Sequence, residues 1–427
     1  MTDAHRAIDA VWRLESAKLI AALARITRDV GLAEDLAQDA LVAALEQWPE
    51  SGIPDKPGAW LMATAKRRAI DHFRRNRLIE RKHEQIAHDL DERQDATPDL
   101  DSSIDDHVGD DLLRLIFTAC HPRLSMEARV ALTLRLLGGL TTDEIARAFL
   151  STEATVAQRI VRAKRTLAED RVPFEVPRGD EFRARLEAVL QVIYLVFNEG
   201  YSATSGEDWI RPSLCEEAMR LGRILAGLIP DEAEVHGLVA LMELQASRLR
   251  ARVSSSGAPV LLLDQDRSRW DQLLIRRGLD ALARAESLDE RRGLYTLQAS
   301  IAACHARART AGDTDWRAIA AVYDRLAELT PSPVVELNRG VAHAMAFGPS
   351  AGLEIVDALR NEASLEGYHL LPSVRGDLLA KVGRREEACA ELERAVSMTR
   401  NARERELLLE RLEVLSRGPR VGDGNGY

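Results

Sequence analysis

The sequence predicts an all-α protein of several domains, and three observations carry that expectation. The chain is 46% apolar and 30% charged but only 4% aromatic, with heavy use of Ala, Leu, Arg and Glu, all good helix formers. Apolar residues recur at i, i+3, i+4 and i+7 in segment after segment, as at Leu19, Ala22, Leu23 and Ile26, the stripe of an amphipathic helix. A length of 427 residues corresponds to two to four domains at ~100–200 residues each. No uninterrupted apolar run approaches the ~18 residues of a membrane span, and the N-terminus lacks a signal-peptide core. A soluble, cytoplasmic protein with no membrane partner is expected.

The first helices occupy the segment up to about Arg77. ESAKLIAALARITRD forms one, and Gly31 is expected to interrupt it. AEDLAQDALVAALEQW forms a second, ending near Pro49. SGIPDKPG is a loop by composition. AWLMATAKRRAIDHFRRNR forms a third helix, apolar at Leu61, Ala65 and Ile70 and basic elsewhere. Residues 84–111 hold few apolar positions and a dense run of Asp. Such a stretch buries too little surface to offset its ordering entropy and is expected to be a flexible linker.

A second helical module follows from Leu112 to about Asp170. LLRLIFTACH and MEARVALTLRLLGG are apolar-periodic, the latter closed by Gly138 and Gly139. Thr141 precedes Glu144 by three residues, the spacing of a capping box. Ser151 or Thr152 caps the next helix. Two short helices joined tightly, the second carrying Gln158, Arg159, Arg162, Lys164 and Arg165, make a helix-turn-helix pattern. Beyond it the chain stays helical with a weak repeat. Gly312, Gly348 and Gly383 recur near every 36 residues, as do Gly340 and Gly376, and Ala320/Ala327 and Ala388/Ala395 share one seven-residue interval. A period near 34 with small residues where paired helices cross is tetratricopeptide-like (TPR-like).

Net charge of -10 speaks against nucleic-acid binding, since binders usually carry excess Lys and Arg. Its distribution reverses that conclusion. Residues 1–83 carry 14 Lys and Arg against 12 Asp and Glu, and residues 112–176 carry 10 against 7. Residues 84–111 carry one Arg against 11 acids, and residues 177–427 carry 33 against 38. One acidic stretch thus separates two modestly basic modules. The four cysteines (Cys120, Cys215, Cys304 and Cys389) are far apart, which suggests neither a zinc knuckle nor a disulfide framework. Cys120 adjoins His121, but neighbours on a helix point apart and no third partner is evident. The histidines show no metal-ligand spacing, and GxxxxGK[ST] is absent. Asp264 and Asp266 resemble a helix cap more than an acid–base pair. No catalytic residue, metal or cofactor is expected; the protein does not read as an enzyme.

The basic helix from Met62 to Lys82 sets Arg and Lys beside Trp60 and Phe73, a combination suited to phosphates and unpaired bases. Trp60 fits a core anchor as well as a stacking platform. DLAQDALVAALEQW followed by PGAWLMATAKRRAIDHFRR resembles region 2 of bacterial sigma factors of the extracytoplasmic-function family, and GLTTDEIARAFLSTEATVAQRIVRAKRTL resembles their region 4. FTACHPRLSMEARVALTLRLLGGL, with VFNEGYSAT and LNRG further on, resembles the subgroup with a long helical, TPR-like C-terminal extension.

That resemblance implies a role for each segment. Residues 1–83 would be sigma region 2, a helical bundle; 84–111 the acidic linker; 112–176 sigma region 4 with its helix-turn-helix; 177–300 a helical extension; and 301–427 the TPR-like repeats. Asp35, Gln38, Asp39 and Leu41 would dock on a coiled coil of the largest subunit of RNA polymerase core. Trp60, Lys66, Arg67, Arg68, Arg74 and Arg75 would hold the minus-10 promoter element as its strands separate. Arg67 stands where region 2 helices commonly carry Asn. Region 4 would meet the polymerase flap and enter the minus-35 element. There Thr155, Gln158, Arg159 and Arg162 share a helix face, where Gln can read adenine and Arg guanine; Lys164 and Arg165 fall to phosphates. The linker would thread the basic channel destined for RNA. The C-terminal half would regulate, with a concave groove for a peptide or protein partner. The competing expectation is a conventional helix-turn-helix transcriptional regulator fused to a TPR-like interaction domain.

Overall fold

In a computed structural model of the protein, residues 3–84, 108–149, 151–201, 210–254, 260–399 and 402–417 are described, and no β-strand occurs among them. Most of the acidic stretch, residues 85–107, lies outside the described residues. The chain divides into two compact units: residues 1–200 with 213–228, and residues 201–212 with 229–427.

The first unit opens with α1 (Asp3–Thr27), α2 (Val30–Ser51) and α3 (Pro57–Glu84). The break between the first two falls at Arg28, which takes φ 55°, just before Gly31. Asp29 explains the position: its carboxylate accepts from the N–H groups of Gly31 (2.7 Å) and Leu32 (3.1 Å), satisfying two of the otherwise orphaned donors of a helix start. Pro49 lies inside the last turn of α2, and Gly52 at φ 84° ends it. Pro57 opens α3, where its fixed φ and missing N–H cost nothing. Leu19, Leu23, Leu36, Ala40, Trp48, Leu61 and Ala65 form the buried seam of the three.

Then come α4 (Val108–Ala119), α5 (Met126–Leu136), α6 (Thr142–Ala148) and α7 (Glu153–Glu169). Asp110 and Asp111, part of the acidic run in sequence, form the first turn of α4. Asp111 is buried and pairs with Arg25 (2.9 Å) and Arg114 (2.7 Å). Burial keeps its carboxyl above the usual range even against these two guanidiniums. The capping box forms: Glu144 N–H donates to Thr141 Oγ1 (3.1 Å), and Thr141 N–H to Glu144 Oε2 (2.8 Å). Two further helices, α8 (Gly179–Tyr201) and α9 (Pro212–Leu228), tie back onto this module. Arg185 is buried and donates to the Phe117 carbonyl at 2.9 Å; Arg220 donates to the Leu137 carbonyl.

The second unit holds α10 (Ala233–Ala246), α11 (Gln272–Leu288), α12 (Leu294–Arg307), α13 (Trp316–Leu329), α14 (Pro333–Phe347), α15 (Pro349–Ala358), α16 (Leu370–Lys381), α17 (Arg385–Met398) and α18 (Ala402–Arg417). Helix α10 is apolar and buried on nearly every side, the mark of a central helix. Its Glu234 caps α12 from a distance, accepting from the N–H groups of Tyr295 (2.7 Å) and Thr296 (3.2 Å). Asp266 caps a short turn by accepting from Ser268 N–H at 2.9 Å.

From α12 onward, each helix packs against the next in the chain. Gly348 (φ 103°) and Gly383 (φ 83°) make the turns of the α14–α15 and α16–α17 hairpins. Gly340 and Gly376 sit where those paired helices touch. A Cβ at Gly376 would meet Leu392 at 3.0 Å, and one at Gly352 would stand 2.3 Å from the Gly340 carbonyl oxygen. Gly312 lies in a 3-10 turn, where a Cβ would meet only Thr310 Oγ1 at 3.8 Å, an ordinary contact, so it shares the spacing but neither job. Arg375, buried on α16, bonds Asp357 of α15 and Glu391 of α17, both at 2.7 Å. Because the Gly352 site is closed by backbone, Gly352→Ala forces α14 and α15 apart. A loss of about 1–3 kcal/mol is expected, measured by denaturant unfolding.

Candidate nucleic-acid interface

Helix α3 divides into two faces. Leu61, Ala65 and Ala69 are buried against α1 and α2, while Arg67, Asp71, Arg74 and Arg75 are exposed. Lys66 and Arg68 flank the exposed strip at intermediate depth, and Arg68 reaches Asp39 of α2 at 3.4 Å. Trp60 is half-buried and packs edge-on against the buried Trp48, ring centroids 5.3 Å apart. The core-anchor role is thus in place, with part of the indole still open to solvent. The expected minus-10 residues therefore share one helix, but Arg67, Arg74 and Arg75 form its outermost line.

On α2, Asp35 and Asp39 are exposed and Gln38 is half-exposed; Gln38 Nε2 donates to Glu34 Oε1 at 2.5 Å. Leu41 sits at the flank, half-buried. Two apolar residues absent from the expected set stand on the same outer face: Val42, 49% exposed, and Leu45, 36% exposed. The i, i+3, i+4 and i+7 positions counted from Asp35 reach Gln38, Asp39 and Val42. The helical wheel could have found them.

In the helix-turn-helix, the turn between α6 and α7 closes without glycine. Phe149 has φ −112°, and Ser151 N–H donates to the Ala146 carbonyl at 2.9 Å. Thr152 caps α7 by accepting from Thr155 N–H at 3.1 Å. Val156, Ile160, Ala163 and Leu167 are buried, anchoring α7. Thr155, Gln158, Arg162 and Arg165 are exposed and Arg159 is half-exposed, all on one side; Arg165 is tied to Glu169 at 2.7 Å.

Lys164 is not brought together with them. It lies on the opposite side, 18% exposed, with its ammonium on Glu34 of α2. Glu34 is buried and also accepts from Arg135 Nε of α5 at 2.6 Å. One carboxylate thus joins α2, α5 and α7. A second link, Arg13 to Glu144 at 2.8 Å, joins α1 to the start of α6. Burial pushes the Glu144 carboxyl up, but the Thr141 N–H and Arg13 hold it below the ordinary range.

Cys120 is buried with its sulfur 3.4 Å from Thr133 Oγ1, and burial pushes the thiol up to about 11. It is a protonated thiol at neutral pH and a poor nucleophile. No group of three or more His, Cys, Asp or Glu side chains among the described residues is placed to hold a metal ion. None of the described helices is long and apolar enough to cross a membrane.

Comparison with known proteins matches both modules. Residues 13–79 match Sigma-70 region 2 and residues 114–167 match Sigma-70 region 4. Residues 185–286 match a family of unknown function, DUF6596. An uncharacterized protein of Rhizobium meliloti (strain 1021) is 43% identical over 400 residues, 93% of each chain. The probable ECF RNA polymerase sigma factor SigI of Mycobacterium tuberculosis is 30% identical over 175 residues, 40% of this chain and 58% of that protein. With both sigma regions in order ahead of a helical C-terminal extension, the chain belongs to the extracytoplasmic-function family of sigma factors, which direct RNA polymerase core to promoter DNA.

Proposed function

We propose that the division of labour within this sigma factor follows its exposed faces. The outer face of α2, with Asp35, Gln38, Asp39, Val42 and Leu45, docks on a basic coiled coil of the polymerase largest subunit. The Arg67, Arg74 and Arg75 line of α3 holds the minus-10 element, with Lys66 and Arg68 beside it and the open edge of Trp60 available for stacking. Thr155, Gln158, Arg159 and Arg162 read the minus-35 element, and Arg165 contacts phosphate. Region 4 meets the polymerase flap. The protein acts in the cytoplasm, by binding and strand capture without covalent catalysis. The C-terminal helical domain regulates this activity through a partner held in its TPR-like groove.

The observation that carries this reading is the pairing, on two helices of one bundle, of an acidic-apolar face with an arginine line. What supports it is that Val42 and Leu45 lie exposed together among the acids of one helix face, a mixed apolar and charged makeup that suits a docking face. The test is core-polymerase binding and transcription in vitro with the full-length chain. Val42→Glu with Leu45→Glu is expected to weaken core binding about tenfold or more and to abolish initiation. Both positions are exposed, so helicity by circular dichroism should stay unchanged. Undiminished core binding would overturn the docking assignment.

A further inference from the structure

One exposed side chain of α7 has no part in this division of labour. Val161 is 62% exposed, and among the described residues only Leu14 and Val414 are large apolar side chains more exposed than it. The helix is anchored without it, by the buried Val156, Ile160, Ala163 and Leu167. Those four follow the spacing i, i+4, i+7 and i+11. The same spacing moved back by two residues gives Ala154, Gln158, Val161 and Arg165, roughly 200° round the helix at about 100° per residue. All four are exposed. They form the ridge that points away from the core, and a groove receives that ridge first.

A water-facing valine does little for a helix. Its β-branched side chain loses rotamer freedom there, and apolar surface stabilises only when something apolar covers it. In the major groove the apolar group on offer is the C5-methyl of thymine, whereas adenine and guanine edges present hydrogen-bonding groups. The surroundings of Val161 suit that contact. Gln158, on the same ridge, carries the amide that pairs with adenine. Ala154 and Ala157, one and two turns towards the helix start, are small and leave the valine unscreened on that side. A helical side chain leans towards its N-terminus, the end of a recognition helix that meets base edges.

From this placement, and resting on the reading of α7 as the minus-35 helix, we infer that Val161 is a specificity-determining residue whose methyl groups pack on the C5-methyl of a thymine. Three residues of helix rise about 4.5 Å, against about 3.4 Å between successive phosphates of one DNA strand. The thymine therefore lies about one or two base pairs from the adenine that Gln158 reads. Arg165, one turn beyond Val161, keeps its place on phosphate.

The experiment selects minus-35 elements from a randomised duplex pool, using the full-length protein bound to core polymerase. Each selected thymine is then replaced singly by deoxyuridine, which lacks only the C5-methyl. At one thymine the replacement is expected to weaken binding about three- to fourfold, the worth of about one buried methyl. In Val161→Ala the same replacement should change binding by less than about 1.5-fold, because the group that meets the methyl is gone. Val161→Thr keeps one γ-methyl and should show an effect of about twofold. The position is exposed and alanine is a good helix former, so helicity by circular dichroism should hold. Equal methyl sensitivity in the unaltered protein and Val161→Ala overturns the inference. So does indifference to deoxyuridine at every selected thymine, or a selected element without thymine. A Val161→Ala loss seen in core binding without DNA overturns it too, since the ridge then meets polymerase. In each of these cases minus-35 selection persists, and the reading of α7 stands. Failure to select any minus-35 sequence overturns that reading itself, and the inference with it.

Discussion

Glu34→Ala is expected to cost the first unit about 3–5 kcal/mol, more than any exposed substitution in this protein. The carboxylate is 3% exposed, and the two cations that it pairs, Arg135 and Lys164, are only 22% and 18% exposed. Removing one member of a buried ionic cluster strands the others away from water without compensation, which is why the loss is large. Surface pairs such as Arg147–Asp143, 70% and 54% exposed, sit in high dielectric and contribute about 0–1 kcal/mol. The measurement is denaturant unfolding followed by tryptophan fluorescence, since Trp48 is buried on α2, the helix that carries Glu34. The cluster's worth lies in its completeness. Replacing all three members by apolar residues (Glu34→Leu, Arg135→Met and Lys164→Met) should recover most of the loss, because no charge is then left unpaired. If Glu34→Ala unfolds within 1 kcal/mol of the unaltered protein, the cluster does not hold α7 to α2.

That cluster also marks the limit of what the sequence reveals. Helix periodicity, the Thr141–Glu144 box and the core-facing Val156, Ile160 and Ala163 are local patterns, and each is present in the fold. Local chemistry also explains the break at Asp29, where a capping carboxylate outcompetes the more conspicuous Gly31. Glu34, by contrast, sits in an acidic helix where composition marks it as one more surface charge. Its partner Arg135 is 101 residues away along the chain, and no pattern within one segment encodes a contact of that span. Asp111 is the same case, an apparent linker charge that folds into a buried pair with Arg25. The face of α2 proposed to dock was half legible. The acids stood out, but Leu41 drew attention from Val42 and Leu45 because all three are apolar and only the rotational phase separates them. The repeating glycines were legible as a period, although Gly340 serves packing and Gly348 serves a turn.

Three substitutions on α7 are expected to give three different signatures, because the helix carries three kinds of side chain. Arg162 is exposed on the side of Thr155 and Gln158, where it can form paired hydrogen bonds to a guanine edge. Arg162→Ala should therefore weaken the cognate promoter by about 5- to 150-fold, the range of about 1–3 kcal/mol per bidentate base contact. Discrimination at one base pair should relax with it. Arg165 is exposed near the end of the helix and bonded to Glu169, and on the proposed reading it contacts phosphate rather than a base. Arg165→Ala should weaken all promoters uniformly and lower the slope of log affinity against log salt by about one. Lys164 points the other way, into Glu34. Lys164→Ala should leave base preference and salt slope unchanged while lowering the unfolding midpoint. Promoter binding across a salt series, run on a set of single-base variants, separates the three. A change in base preference from Lys164→Ala, or none from Arg162→Ala, would mean that α7 meets DNA through a different face from the one it exposes.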